Sequence, residues 1–252
     1  MNGTLTNSLT GIKAFQQSLD AIAHDTANIA TTGYKAKTTS FRELMGTRMV
    51  KEPVQLSNQA EGKQISAGTK SEVTGVDFSQ GSFISTGGKL DLAIGGESFF
   101  QVTGRNGEKY LTRDGAFQLN TDKTLTNKNG ETIVMDSYVP ASKRPEGDWI
   151  IQKNRSVFIQ NGQNQTLIGK IPLFVPNQPM SLSPVGENLY RTEGGISRDT
   201  EGIIQQGFLE SSNVDLAKTL TDMMTTQRAY SLNLRAAQST DEIASITNAI
   251  NQ

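Results

Sequence analysis

The side chains best suited to chemistry are few. His24 is the only histidine, and Asp25 follows it directly. A His–Asp pair can relay a proton, but adjacent residues on a helix point about 100° apart, so these two do not face each other. Two carboxylates fixed about 5–10 Å apart in a cleft could cleave a glycosidic bond. Acids such as Glu72 and Asp77 read more simply as a solvated face. Arg113-Asp114-Gly115 reads as a turn. Gly87-Gly88 and Gly95-Gly96 do not join a strand to a helix, so they are hairpin residues rather than a phosphate-binding loop. The absence of cysteine excludes thiol catalysis, disulfides and Cys-based zinc or iron–sulfur sites. A lone histidine excludes a multi-histidine metal centre within one chain. No catalytic, cofactor or metal site is expected, and the chain reads as a non-enzyme.

The elements that would position any site are unevenly distributed. The 252 residues carry a formal net charge of −1 and are 35% hydrophobic. That balance provides no global field for nucleic acid. No run of about 18 apolar residues exists to span a membrane. The N-terminus lacks the basic and apolar regions of a secretory signal. There is no Pro before Pro53 or after Pro184, and no Gly between Gly11 and Gly33 or after Gly207. The two ends are thus free of helix breakers, and the middle is full of them.

At the N-terminal end, Leu5, Ser8, Ile12, Phe15, Leu19, Ile22, Thr26 and Ile29 alternate spacings of 3 and 4. This is a narrow heptad seam. It predicts a helix ending near Thr31-Thr32-Gly33, with Gly33 in the left-handed cap. At the C-terminal end, Asn213 is the expected N-cap. Leu216, Leu220, Met223, Gln227, Tyr230, Leu234 and Ala237 follow at spacings of 4 and 3. Ile243, Ile246 and Ile250 continue on a shifted phase. Between the ends, short apolar runs alternate with turn residues every 8–12 positions, from Leu90–Ile94 through Ile171–Val175. They predict an antiparallel meander, sandwich or barrel, with Pro172, Pro176, Pro179 and Pro184 leading out of it. Residues 44–80 are the least patterned and read as an extended or hairpin-like segment.

The expected class is α+β: a discontinuous coiled coil of terminal helices with an inserted antiparallel β-rich domain. Residues 1–35 and 208–252 would form the helical assembly domain. Residues 36–80 and 185–207 would connect it to the β-rich stretch 81–184. A two-helix seam this narrow buries little surface and short isolated helices are marginal in water, so it is expected to complete its core against other subunits.

Several stretches resemble the rod and hook group of bacterial flagellar axial proteins. The first is Ala27-Asn28-Ile29-Ala30-Thr31-Thr32-Gly33-Tyr34-Lys35, followed by Phe41-Arg42-Glu43-Leu44-Met45. The second is Leu90–Ile94 with Phe99-Phe100-Gln101-Val102 and Thr112-Arg113-Asp114-Gly115-Ala116-Phe117. The third runs from Gln206-Gly207-Phe208-Leu209-Glu210-Ser211-Ser212-Asn213-Val214 through Met223, Gln227-Arg228-Ala229-Tyr230 and Asn233; Gly186-Glu187-Asn188-Leu189-Tyr190 is smaller. The ordered set covers most of the chain. Lys123 stands where the group has a turn Gly, which disfavours a positive-φ turn there.

The resemblance implies a structural subunit of the flagellar rod, polymerising helically into a hollow drive shaft that also serves as an export channel. The distal rod is favoured over the proximal rod or hook, because residues 46–66 match in length a stretch that marks it. That segment is expected to bridge neighbouring subunits. The implied partners are further copies of the chain, other rod and hook proteins and the flagellar export apparatus, in the basal body. The assembly interface is expected at Leu5, Ile12, Phe15, Leu19, Ile22, Ile29, Leu216, Leu220, Met223, Gln227, Tyr230 and Leu234. The family-motif positions are Asn28, Thr32, Gly33, Tyr34, Lys35, Gln206, Gly207, Asn213 and Arg228. A secreted coiled-coil adhesin is the rival of a different class.

Overall fold

The computed structural model describes residues 2–44, 68–178 and 181–250. Among them are two long helices and nineteen short strands, paired antiparallel, so the α+β class holds. The chain divides into two units. One comprises Met1–Ala27, Lys37–Val76 and Asp215–Gln252; the other comprises Asn28–Ala36 and Asp77–Val214.

The helical unit holds α1 (Asn2–Ala27, 26 residues) and α2 (Leu216–Ile250, 35 residues). α1 stops well before Gly33. Thr31 N–H donates to the carbonyl of Asn28 at 3.1 Å, and Thr31 Oγ1 donates to Asn28 Oδ1 at 3.1 Å. These local bonds compete with further helix, as Asn and Thr side chains do. Ile29 therefore lies beyond the helix and off its seam. α2 is capped by Asp215 rather than Asn213. Asp215 Oδ1 accepts the N–H of Ala217 at 2.9 Å and of Lys218 at 3.2 Å. A carboxylate there also complements the positive end of the helix.

The inward stripe of α1 consists of small or short side chains: Gly11, Ala14, Ser18, Ala21 and Asp25, again alternating 3 and 4. A Cβ on Gly11 would meet the side-chain Nδ2 of Asn233 at 2.3 Å, so a larger residue there would displace the Asn233 amide. Ile12, Phe15, Leu19 and Ile22 lie one position round and are half-buried. On α2 the half-buried positions include Thr219, Met223, Thr226, Tyr230, Asn233, Ala237 and Thr240, which make up its inner seam. The predicted α2 seam shares Met223, Tyr230 and Ala237 with it, but Leu220, Gln227 and Leu234 are exposed. Strand β1 (Lys37–Glu43) pairs with β2 (Thr69–Val76), Lys37 opposite Val76 and Glu43 opposite Thr69. Phe41 of this hairpin meets Phe15 with ring centroids 5.4 Å apart. The predicted bridging segment 46–66 lies outside the described residues.

The β unit is built round a strand at Phe99–Thr103. It pairs with Lys109–Thr112, Thr132–Ile133 and Leu173–Pro176. A four-stranded sheet runs in the order Asp136–Ser137, Asn164–Lys170, Ser156–Asn161 and Asp148–Ile151. Leu92, Phe100, Val102, Trp149, Val157 and Leu173 belong to one buried core. Two of the prolines expected to leave the sheet are inside strands. Pro176 ends one, and Pro184 lies in Leu182–Gly186, which pairs on one side only. A missing N–H is tolerated at such an edge. Lys123 adopts φ 56° despite its Cβ. Its Nζ donates to the carbonyl of Arg144 at 2.8 Å, and its own carbonyl accepts from Arg144, so tertiary bonds hold the turn.

Phe78, Phe99 and Tyr190 stack edge to face, with centroids 5.3–6.2 Å apart. Burial pushes the Tyr190 phenol up from the usual 10 to about 12. The folded state thus keeps a proton that the unfolded chain releases, so stability falls as pH rises from 10 to about 12. Tyr190→Phe is expected to flatten that part of the stability curve, read from denaturant midpoints at pH 9 to 12.

Candidate assembly interface

The motif after α1 is where the β unit grips its incoming chain. Gly33 has φ +68°, and a Cβ there would lie 2.6–2.9 Å from backbone atoms of Arg113 and Asp114. Glycine is required both for the conformation and for the close approach. Gly33 N–H donates to the carbonyl of Glu210 at 2.8 Å. Thr32 Oγ1 donates to Asp114 Oδ1 at 2.9 Å, and Asn188 Nδ2 donates to the carbonyl of Thr32 at 2.9 Å. Tyr34 is buried.

Lys35 enters a dry ion cluster. Its Nζ donates to Glu210 Oε1 at 2.6 Å and to the carbonyl of Ser79 at 2.7 Å. Arg113 Nη1 donates to Glu210 Oε2 at 3.2 Å, and Nη2 to the carbonyl of Gly96 at 2.8 Å. Gly81 N–H donates to Glu210 Oε1 at 2.9 Å. The three side chains are 0–1% exposed. Arg113 also lies 4.7 Å from the centre of the Phe99 ring. Burial pushes the Lys35 ammonium below its usual range, and the hydrogen bond and charge of Glu210 oppose that shift. One carboxylate thus balances two cations and joins chain segments far apart in sequence.

Asn213 fastens the outgoing chain. Its Oδ1 accepts Ala36 N–H at 2.8 Å, and its Nδ2 donates to the carbonyl of Asp77 at 2.8 Å. Gln206 Oε1 accepts Ile151 N–H at 3.0 Å, and Nε2 of the same amide donates to the carbonyl of Trp149 at 2.8 Å. Gly207 turns the chain at φ +82° and donates its N–H to the carbonyl of Asp91 at 2.8 Å. The motif positions Thr32, Gly33, Tyr34, Lys35, Gln206, Gly207 and Asn213 thus lie in the β unit with Asn28, and Arg228 stands exposed on α2.

The expected interface residues are placed on the helical unit, except Ile29. Ile12, Phe15, Leu19, Ile22, Met223 and Tyr230 are half-buried; Leu216, Leu220, Gln227 and Leu234 are exposed. The Leu5 side chain lies outside the described residues. His24 is exposed, while the Asp25 carboxylate accepts Lys37 N–H at 3.2 Å. Sequence reasoning missed Arg113 and Glu210 as an ion pair. No local sequence pattern marks this pair, whose members are 97 residues apart.

Comparison with known proteins identifies the architecture. Residues 93–163 match the flagellar hook protein FlgE/F/G D1 domain, and residues 205–250 match the flagellar basal body rod FlgEFG protein C-terminal family. The flagellar basal-body rod protein FlgG of Agrobacterium fabrum is 33% identical, over 95% of this chain and 95% of its own length. The chain belongs to the flagellar basal-body rod protein family. A second FlgG, from Buchnera aphidicola subsp. Schizaphis graminum, is 33% identical over 94% of this chain and 95% of its own length. FlgF of Caulobacter vibrioides is 30% identical over 97% and 96%. As a member of this family, the chain is a structural subunit of the flagellar rod, in the basal body, among other rod and hook proteins.

Glu210→Gln would remove the carboxylate that both buried cations, Lys35 and Arg113, hydrogen-bond. Breaking a buried pair this way costs about 3–5 kcal/mol. Denaturant unfolding of the purified variant is expected to show that loss, and adding Lys35→Met is expected to recover part of it.

Proposed function

We propose that the chain polymerises helically, through the faces of α1 and α2, into a hollow shaft that transmits torque and passes export substrates. The observation that carries this reading is the state of α2. None of its described side chains is fully buried, and Leu216, Leu220, Met224, Leu232, Leu234, Ile243 and Ile246 are 39–65% exposed. A helix of about 52 Å with a single half-buried seam leaves most of its apolar side chains in water. Exposed apolar area of this extent is the signature of a surface awaiting a partner. The helical stretches within 1–35 and 208–252 act as a discontinuous coiled coil. Residues 36–80 and 185–207 connect it to the β-rich stretch 81–184.

The chain acts mechanically rather than catalytically, and its partners include copies of itself and the flagellar export apparatus. Its position is in the distal rod. Relatives named FlgG, at 29–33% identity over 93–98% of the chain, support placing it on the FlgG branch. The bridging role of residues 46–66 belongs to the same proposal.

Leu220→Asp puts a charge on the exposed apolar face of α2, where no intramolecular core is lost. Cells carrying it are expected to lack rods by electron microscopy and to be non-motile, while the purified variant keeps the near-ultraviolet signature of a folded β unit. Normal rods in that mutant would refute the assembly reading.

A further inference from the structure

Two strands of the β unit pair with another strand on one side only. Leu92–Gly95 pairs with Ile203–Gln206, and Asp148–Ile151 pairs with Ser156–Asn161. In an antiparallel ladder alternate residues turn both backbone groups toward the partner, and the rest turn both away. Gly207 N–H donates to the carbonyl of Asp91, and Gln205 stands opposite Ala93, so Leu92 and Ile94 face the far edge. Gln152 N–H donates to the carbonyl of Ser156, so Trp149 and Ile151 face away from their partner strand. On the first edge Leu92 N–H donates to the carbonyl of Gly115 at 3.0 Å, and beyond it the Gln80 amide takes over. Its Nε2 donates to the carbonyl of Ile94 at 2.8 Å, and its Oε1 accepts Gly96 N–H at 3.3 Å. On the second edge Gln206 repeats the pattern with the carbonyl of Trp149 and the N–H of Ile151. Past the end of that strand, Ile204 N–H reaches the carbonyl of Lys153 at 3.4 Å. Each amide thus bonds a carbonyl and the N–H two residues further on. One residue of a parallel neighbouring strand makes the same two bonds, and a side-chain carboxamide carries the same two groups as a peptide.

We propose that Gln80 and Gln206 close these two edges against strand pairing with a second copy of the chain. Trp149-Ile150-Ile151 and Leu92-Ala93-Ile94 are apolar, uncharged and free of proline, as segments that add strands readily are. An edge of that kind with bare N–H and C=O groups is a template for another chain. Both edges are within reach of one. Gln80 and Gly96 are exposed, and a shallow groove of 350 Å³, lined by Gly87, Gly88, Trp149, Ile150 and Gln206 among others, opens beside the second edge. Lys89 Nζ and Asp148 Oδ1, 2.8 Å apart and both exposed, stand at the rim of that groove, and charges there also deter pairing. An amide answers both backbone groups. A carboxylate accepts the N–H but offers the carbonyl nothing, and an apolar side chain answers neither. The inference goes beyond the assembly reading and does not depend on it, because it concerns surfaces that copies do not use. In a shaft of repeated subunits two open edges per copy would offer a competing route of association at high local concentration.

The experiment uses the purified full chain carrying Leu220→Asp, so that the exposed face of α2 bears a charge in every sample. Self-association is read by sedimentation velocity over a range of concentrations. Gln80→Leu, Gln206→Leu and the two together are compared with that parent. Leucine is close to glutamine in size, keeps both edges neutral and bonds neither backbone group. The two-site leucine variant is expected to associate at a concentration about tenfold or more below the parent's. Gln80→Leu alone changes an exposed side chain outside the buried core, and it is expected to shift association in the same direction. Gln80→Glu with Gln206→Glu loses the same bonds to the carbonyls but puts a charge on each edge, and it is expected to stay as monomeric as the parent. Leucine variants that associate no more than the parent would overturn the proposal. So would a glutamate variant that associates as strongly as the leucine one, because association would then follow a loosened fold and not an opened edge. Every comparison is made against the same parent, so neither result touches the assembly reading, which falls only if Leu220→Asp cells make normal rods.

Discussion

Glu210 carries the constraint on which the β unit depends. Its carboxylate accepts from two buried cations, Lys35 and Arg113, and also from the Gly81 N–H. Ions stripped of water are stable only when nearly every polar group is matched, and the mutual attraction then acts at low dielectric. Matching them requires Lys35, Arg113 and Glu210 to arrive together, although Lys35 and Glu210 are 175 residues apart in sequence. The segment after α1 and the segment before α2 are therefore held at one place in the β unit. Gly33 against the Arg113–Asp114 backbone and Asn213 against Ala36 and Asp77 reinforce the same junction.

The two units put their apolar residues to different use. In the β unit, residues such as Leu92, Phe100, Val157 and Ile171 are sealed from water, and the core is complete within the chain. In the helical unit the buried stripe of α1 is made of Gly11, Ala14, Ser18, Ala21 and Asp25. Small residues let backbones approach but bury little hydrophobic area, so the larger Ile12, Phe15, Leu19 and Ile22 are left half-covered. A modest overall hydrophobic fraction is therefore no sign of a weak chain. The burial missing from one copy is what neighbouring copies supply on the proposed reading.

Much of this was legible from periodicity. Breaker-free ends with 3–4 spacing revealed both helices, and turn residues at short intervals revealed the antiparallel strands. The details that escaped have physical causes. Periodicity did not show which of two neighbouring stripes of α2 faces inward within one copy: Leu220 and Leu234 satisfy the same spacing as the inner Thr219, Thr226 and Asn233, and it is the smaller or bonding residues that pack inward. Asp215 and Asn213 are both good caps, and only the tertiary bonds of Asn213 decide between them. Lys123 enters a positive-φ turn because Arg144 holds it from a distant loop. The Lys35–Glu210–Arg113 cluster could not be seen because charged side chains are usually solvated, and its members are distant in sequence.

The central claim is that the helical unit completes its core only with other copies, while the β unit is complete alone. Amide hydrogen exchange, compared between dilute monomer and isolated rods, tests it most directly. The account predicts that α2 amides exchange fast in the monomer and become strongly protected in rods, with the strands from Phe99 to Glu210 equally protected in both. Equal protection of α2 in monomer and rod would contradict it.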